Sequence, residues 1–358
     1  MKSFNWKLVF VLAALMVAFS LLMMGCEPDL EEEVEAEMIT ADPDRTTIKW
    51  NTTEVGSYGY SVASVMVDFL NRKLPEEYEV IIEPYPDTSK AMEDAMDGEG
   101  DISYSADVGM SLAWDRDEPY EDLDPKEGDL VHTFYAYPME TFLMVHEENA
   151  EDYNSYEDLS GEPIFFSPEG YMNWMNMDRI FEALNYDFNH KEIDLGDTAE
   201  NLEDGTIEGA AAYTTAGETL PEWWDEAQLI TDVSAVNPTE NELNKIEEAG
   251  ISTTSIDPGV FDAQDNVGVD EIEGIPILFA YNMRADASPD FVYTMLYIFY
   301  ENREELAKYD PGFKPLAKNF VEMQVQGIKV NPDIPVHPGL ANFLRDHDEW
   351  DEDWETAY

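Results

Sequence analysis

From Thr46 onward, short apolar runs of β-forming residues alternate with amphipathic helical segments, and that alternation restricts the fold more than any other feature. Residues 46–52 and 78–83 read as strands. Between them, residues 60–70 place Val62, Ala63, Met66, Phe69 and Leu70 on one helical face, and Pro75 follows the end. Residues 90–96 form a second helix through Ala91, Met92, Ala95 and Met96; residues 101–104 are a short strand and 107–114 a helix. This βαβα order implies an α/β fold, a parallel sheet covered by helices.

The rest of the chain continues the theme. Residues 115–128 are acidic, contain Pro119 and Pro125, and read as a surface loop. Residues 133–146 and 275–281 are extended, 164–166 and 210–213 are strands, and 172–184 is a helix with Met177, Ile180, Phe181 and Leu184 inward. Residues 220–227 are helical and open with Pro221. Ser288 caps a long helix with Pro289 at its first position, running to about Lys308, and residues 337–345 form a last short helix. The tail over 346–355 holds seven acids around Trp350 and Trp354.

Charge is the second constraint. The chain has 19 Lys+Arg against 79 Asp+Glu, a formal charge of −60. Such a surface excludes nucleic acid as a partner, because phosphate contacts need clustered Lys and Arg. Strong acidity can also mean disorder, but 44% hydrophobic and 12% aromatic residues supply a core. A folded protein with a solvated acidic shell follows, as expected of a halophile, or alternatively an alkaliphile.

The first 26 residues set the location. Lys2 and Lys7 precede an apolar run from Leu8 to Met24 that only Ser20 interrupts, and Met23-Met24-Gly25-Cys26 closes it. This is the pattern of a secretory signal (1–25) ending in a lipobox, with Cys26 as the lipidated residue. A transmembrane anchor is the alternative, since the run is nearly long enough to span a bilayer. An acyl chain at Cys26 would hold the protein on the outer face of the cell membrane without spanning it. Residues 26–45, with five Glu between 31 and 37, then read as an acidic linker. Cys26 is the single cysteine, so no internal disulfide can form. About 310 residues remain, enough for two domains.

No recognised catalytic pattern stands out. His146-Glu147 lacks a second histidine at metalloprotease spacing, and there is neither a nucleophile elbow nor a phosphate loop. Residues 262–271 resemble a calcium loop, but Gly268 falls one place late for an EF-hand. The five histidines are scattered. No enzyme activity, cofactor or metal is expected. Instead, three strand-to-helix junctions carry Ser, Thr, Gly and aromatic residues: 53–60, 103–107 and 167–174. In parallel α/β sheets ligands bind beyond the carboxyl ends of strands, where helix amino ends offer unpaired N–H groups. The candidate ligand contacts are Glu54, Ser57, Tyr58, Tyr60, Ser105, Asp107, Tyr171, Asn173 and Trp174, with Tyr213 and Thr214 at the end of the strand over 210–213. Each junction taken singly is equally consistent with ordinary turn chemistry.

Several segments resemble the TAXI-type solute receptors of TRAP transporters. Thr52 to Tyr60 stands where that family has a Gly/Thr-rich strand–loop–helix, and Asn71-Arg72-Lys73-Leu74-Pro75 matches the helix end. Gly98-Glu99-Gly100-Asp101-Ile102, Ser105-Ala106-Asp107-Val108, Asp158-Leu159-Ser160-Gly161 and Leu202-Glu203-Asp204-Gly205 resemble further family runs. The most specific piece is Ile334-Pro335-Val336-His337-Pro338-Gly339, similar to the family's Ile-Pro-Leu-His-Pro-Gly. The resemblance implies a two-lobed periplasmic-binding-protein type II fold with a ligand cleft between lobes. Lobe one would be 46–138 plus 282–358, and lobe two 139–281. It implies a receptor that closes on a small organic solute, carboxylated or amino-acid-like, and delivers it to TRAP permease subunits. The alternative is the receptor of an ATP-driven importer, or an extracytoplasmic sensor. Two departures bear on the solute: Glu54 stands where the family tends to have glycine, and Glu169-Gly170-Tyr171-Met172-Asn173-Trp174 replaces a Gly-Ser-Gly-Thr-like turn. A carboxylate and two aromatics suit a zwitterion or quaternary ammonium better than a dianion; otherwise Glu54 and Glu169 belong to the acidic shell. Trp223 and Trp224 read as packing residues, and His337-Pro338 as a turn.

Overall fold

The computed structural model describes residues 46–123 and 128–357. The leader, Cys26 and the acidic linker lie outside the described residues, as does part of the acidic loop. Among the described residues no helix is long and apolar enough to cross a membrane.

The chain opens β1 (Thr46–Thr52), α1 (Tyr58–Lys73), β2 (Tyr78–Pro84), α2 (Thr88–Met96), β3 (Ile102–Ala106), α3 (Asp107–Asp115). It continues β4 (Leu130–Val131), β5 (Tyr135–His146), β6 (Pro163–Phe165), α4 (Met172–Leu184), β7 (Asn189–His190), α5 (Thr198–Glu203), β8 (Gly209–Thr215), α6 (Glu222–Ala227), β9 (Val233–Val236), α7 (Glu240–Glu248) and β10 (Thr254–Ile256). It ends β11 (Ile272–Arg284), α8 (Pro289–Glu301), α9 (Arg303–Leu306), α10 (Lys314–Val330) and α11 (Pro338–Asp346). The strands hydrogen-bond in the order β2-β1-β3-β11-β5-β8-β6-β7.

The fold is α/β and two-lobed. In lobe one, β2, β1 and β3 are parallel; in lobe two, β8, β6 and β7 are parallel. Two long strands, β5 and β11, run antiparallel to each other and to the strands beside them. The all-parallel sheet expected from βαβα order is therefore confined to each lobe. The central pair departs from it because each of these long strands pairs antiparallel on both of its sides. Their register shifts between Phe279 and Ala280, so the ladder is irregular where the lobes meet.

Side-chain alternation builds the cores. On β5, Phe142 and Met144 enter one apolar cluster while Leu143 and Val145 enter another. On β8, Ala210 and Ala212 face the first cluster and Ala211 the second. Period-two alternation with both faces apolar is the signature of a strand covered on both sides. A larger apolar cluster gathers around Trp50, Phe69, Phe134, Tyr281 and Phe299.

Local departures have local causes. The helix from Pro289 stops at Glu301; α9 follows as a separate turn. Asn302 (φ −117°, ψ 15°) breaks it by turning its side-chain amide onto the Ile298 carbonyl at 2.7 Å. Helix α10, an element beyond those expected from the sequence, buries Leu316, Phe320, Met323, Gln324 and Ile328 and kinks at Asn319. Tyr120, inside the acidic loop, is fully buried. The acidic tail folds back: Val336 and Ala357 exchange backbone hydrogen bonds with Glu355 and Val336, and Arg345 lies 4.3 Å over the Trp350 ring. His337 caps α11, its Nδ1 accepting from the Gly339 N–H at 3.1 Å, as a turn-shaping residue should.

Candidate functional site

The β1–α1 loop begins the site. Ser57 caps α1, its Oγ accepting from the Tyr60 N–H at 3.1 Å and lying 2.6 Å from Thr53 Oγ1. Gly59 sits in the first turn; a Cβ there would come 2.6 Å from Thr53 Oγ1 and 2.8 Å from the Tyr104 ring. The absence of a side chain lets the helix start directly against the β1 and β3 strand ends. Tyr58 then projects toward the lobe boundary, where its hydroxyl donates to Asp310 Oδ1 at 2.7 Å.

Lobe two supplies the opposite wall. Tyr171 precedes α4 with no side chain capping that helix, and Asn173 occupies its first turn. Asn173 Oδ1 accepts from Thr141 Oγ1 at 3.1 Å; Thr141 in turn accepts from the Asn176 amide, and Asn176 Oδ1 accepts from Arg179 Nε at 2.8 Å. Arg179 pairs with Asp107 at 3.5 Å. This chain of polar contacts ties α4 to β5 and reaches across to α3.

Between the walls lies a cavity of about 560 Å³. Tyr104 and Phe279 stack 5.0 Å apart beside Met139, while Tyr213 and Trp223 meet edge-on at 6.3 Å. Glu54, Glu222 and Glu226 stand at its rim, exposed. Among the described residues no Lys, Arg or His lines it. Burial raises the phenols of Tyr58, Tyr104 and Tyr171, and pushes Tyr213 up to about 12. All four are neutral hydrogen-bonding groups near neutral pH.

Contacts across the cavity hold the two walls together. The Tyr171 hydroxyl donates to Glu54 Oε1 at 2.9 Å, and Ser89 Oγ donates to the Gly170 carbonyl at 3.1 Å. Lys314 pairs with Glu218.

Of the residues named from sequence, Glu54, Ser57, Tyr58, Tyr171, Asn173 and Tyr213 line the cavity. Five do not. Tyr60 lies beyond the lining. Ser105 is buried, its Oγ donating to the Ala280 carbonyl and accepting from the Asn282 amide. Asp107 is committed to the Leu278 N–H at 2.8 Å and to Arg179. Thr214 donates to the buried Glu140 at 2.7 Å, a tie between β8 and β5. Trp174 packs against His190 and, with Glu169, lines a separate cavity of about 540 Å³. Tyr171 is the extended residue before α4 (φ −82°, ψ 146°) while Trp174 lies within the helix, and the two side chains line different cavities. The Trp pair divides. Trp224 is fully buried, with Nε1 donating to the Ala211 carbonyl at 3.1 Å, as packing requires. Trp223, read as packing, is half-buried on the cavity wall. Consecutive helical residues point about 100° apart, so a Trp pair at a helix start cannot share one role. Met139, Phe279 and Tyr104 also line the cavity; Tyr104 belongs to the 103–107 junction, while Met139 and Phe279 lie on extended segments whose sequence does not mark them as contacts.

The periplasmic aliphatic sulphonate binding protein SsuA from Escherichia coli is 13% identical, covering 85% of this chain and 79% of its own, with a TM-score of 0.44. The alkanesulfonate-binding protein SsuA from Xanthomonas axonopodis pv. citri, solved with MOPS, is 12% identical over 89% of this chain and 98% of its own, TM-score 0.44. An extracellular-binding protein assigned to an amino-acid ABC transporter of Bacillus subtilis is 11% identical over 75% and 98%, TM-score 0.44. No curated protein matches the chain. The model of the NMT1-like family matches residues 51–347, and the chain belongs to that family.

Proposed function

We propose that the protein is an extracytoplasmic solute receptor that binds a small organic solute in the inter-lobe cavity and delivers it to a TRAP-type membrane permease. The observation that carries this reading is the cavity itself: about 560 Å³, between two lobes joined by two crossing strands and latched by Tyr171–Glu54. That volume suits a small organic molecule. Residues 139–281 act as one lobe and 46–138 with 282–358 as the other, closing on the solute. Glu54, Ser57, Tyr58, Tyr171, Asn173 and Tyr213 contact it, joined by Trp223. The protein performs no reaction on its cargo. An acyl chain on Cys26 keeps it on the outer face of the cell membrane beside the permease, since so acidic a surface is repelled by anionic lipid.

Native mass spectrometry of the purified protein tests the receptor reading: a small molecule retained in stoichiometric amount is expected, and its addition to stripped protein should raise the melting temperature by mass action. A protein that carries nothing and whose melting temperature no small solute raises is not a receptor. A neighbouring gene for a many-spanning permease without an ATPase is expected; an ATPase gene in its place would assign the receptor to an ATP-driven importer.

A further inference from the structure

We propose, as an extension that rests on the receptor reading, that the solute carries an alkylammonium group and no net negative charge. The wall composition carries the inference. Among the described residues six aromatic side chains line the cavity; Phe279 is itself stacked between Tyr104 and Tyr137, so the rings open to a solute are those of Tyr58, Tyr171, Tyr213 and Trp223, drawn from both lobes. Ring faces present negative potential and attract a cation, most strongly where water is excluded. An alkylated ammonium also gains from apolar contact with the same rings.

An anionic solute finds little here. Not one of the lining residues is Lys, Arg or His, while Glu54, Glu222 and Glu226 stand at the mouth. Two cations on neighbouring elements are already paired, Lys314 with Glu218 and Arg179 with Asp107. The phenols are held protonated by burial, so they add no charge of their own. The rim carboxylates and the acidic surface would concentrate cations at the entrance and repel dianions.

The start of α4 sets the other end of the molecule. Met172 and Asn173 line the cavity in its first turn, and no side chain caps that helix. Its free backbone N–H groups can take one carboxylate. A zwitterion can therefore lie with its carboxylate at α4 and its ammonium among the rings. A second carboxylate would have no partner.

Isothermal titration of the full-length protein, stripped of carried-over solute, tests the proposal with four probes: choline, glycine betaine, glutamate and 2-oxoglutarate. The expected result is binding of choline or glycine betaine and none of the two acidic probes. Trp223→Ala should weaken that binding about tenfold, and Trp223→Phe, which keeps a ring face, should retain most of it. Trp223 also packs on Phe165 and Trp224, so binding is compared at a temperature where both variants are folded by circular dichroism. If glutamate or 2-oxoglutarate binds as tightly as the ammonium probes, the charge assignment is wrong and the receptor reading stands. If choline binding is the same in Trp223→Ala, the ring wall is not the recognition element. Failure of all four probes, together with no retained small molecule, removes both readings.

Discussion

His132 and His337 are the residues whose ionisation most plainly couples to folding. Both are buried, and burial lowers each to about 4 from an ordinary 6.5. Their hydrogen bonds fit neutral rings: His132 Nε2 lies 2.9 Å from the Asn331 carbonyl, with Nδ1 2.6 Å from the Tyr135 hydroxyl. Neutral imidazole donates to the first and accepts from the second. Between pH 6.5 and 4 the unfolded chain takes up protons that the folded protein refuses, so stability falls as pH falls through that window and levels off below it. Each ring contributes about 3 kcal/mol to this loss. Buried Glu140 acts in the opposite sense: burial raises its carboxyl, and protonation relieves the penalty of its charge. The clean comparison is therefore between variant and parent. His132→Gln should show a visibly shallower dependence of melting temperature on pH between 6.5 and 4; an unchanged slope would place the titration elsewhere.

At the level of elements, helix packing rather than helix propensity decides the geometry around the cavity. Gly327 lies where α10 crosses β5, and a Cβ there would come within 2.2 Å of the Tyr135 ring. Tyr135 is fully buried and hydrogen-bonded to His132, so it cannot swing away. Gly327→Ala should destabilise the protein by about 1–3 kcal/mol through overpacking, although alanine favours helix. A chemical-denaturation midpoint equal to the parent's would show that α10 can lift without penalty. Helix α7 illustrates the reverse case, a short element held by its cap. Glu242, almost fully buried, accepts from the Thr239 N–H at 2.6 Å, from Thr239 Oγ1 at 2.8 Å, and from the Glu157 N–H at 2.9 Å. Glu242→Ala leaves these donors unpaired and should cost about 1–3 kcal/mol, read from the same denaturation curves. Both stripe and cap were readable: Leu316, Phe320 and Met323 recur at helical spacing after Pro315, and Thr239 precedes Glu242 by three. What could not be read was the neighbour each element meets.

Across the whole molecule, two balances decide behaviour. The first is charge. At −60 the folded chain repels itself, and added salt screens that repulsion over a Debye length of roughly 10 Å at 0.1 M. Melting temperature should rise steadily with sodium chloride from low to molar concentration; a flat or falling profile would contradict a self-repelling surface. The second is closure. Tyr171→Phe removes the hydroxyl that donates to Glu54, a bond worth about 0.5–1.5 kcal/mol. The variant should populate an open form more than the parent does, seen as a larger radius of gyration in small-angle scattering without ligand. Identical profiles would mean that the remaining contacts, Ser89–Gly170 and Lys314–Glu218 among them, hold the lobes without it.

Sequence alone determined the α/β class, the order of most elements, the acidic shell and the family-like succession of motifs. These depend on periodicity, capping residues and composition, which act over a few neighbouring positions. It also singled out six residues that the cavity brings together, because glycine, serine and aromatic residues at strand-to-helix junctions mark where a sheet can present a ligand. Only the tertiary structure decided the rest. Ser105, Asp107 and Thr214 do not line the cavity; they bond to Ala280, Leu278 and Glu140, 74 to 175 residues away in the chain. Trp223 looks like core until α6 turns it toward Tyr213. Which side of an element a residue faces, and whether its hydrogen bonds are already taken, depend on strands β5 and β11 meeting between the lobes. Contacts so distant along the chain leave no local pattern behind, and it is there that the cavity, its aromatic wall and its lack of a positive side chain come into being.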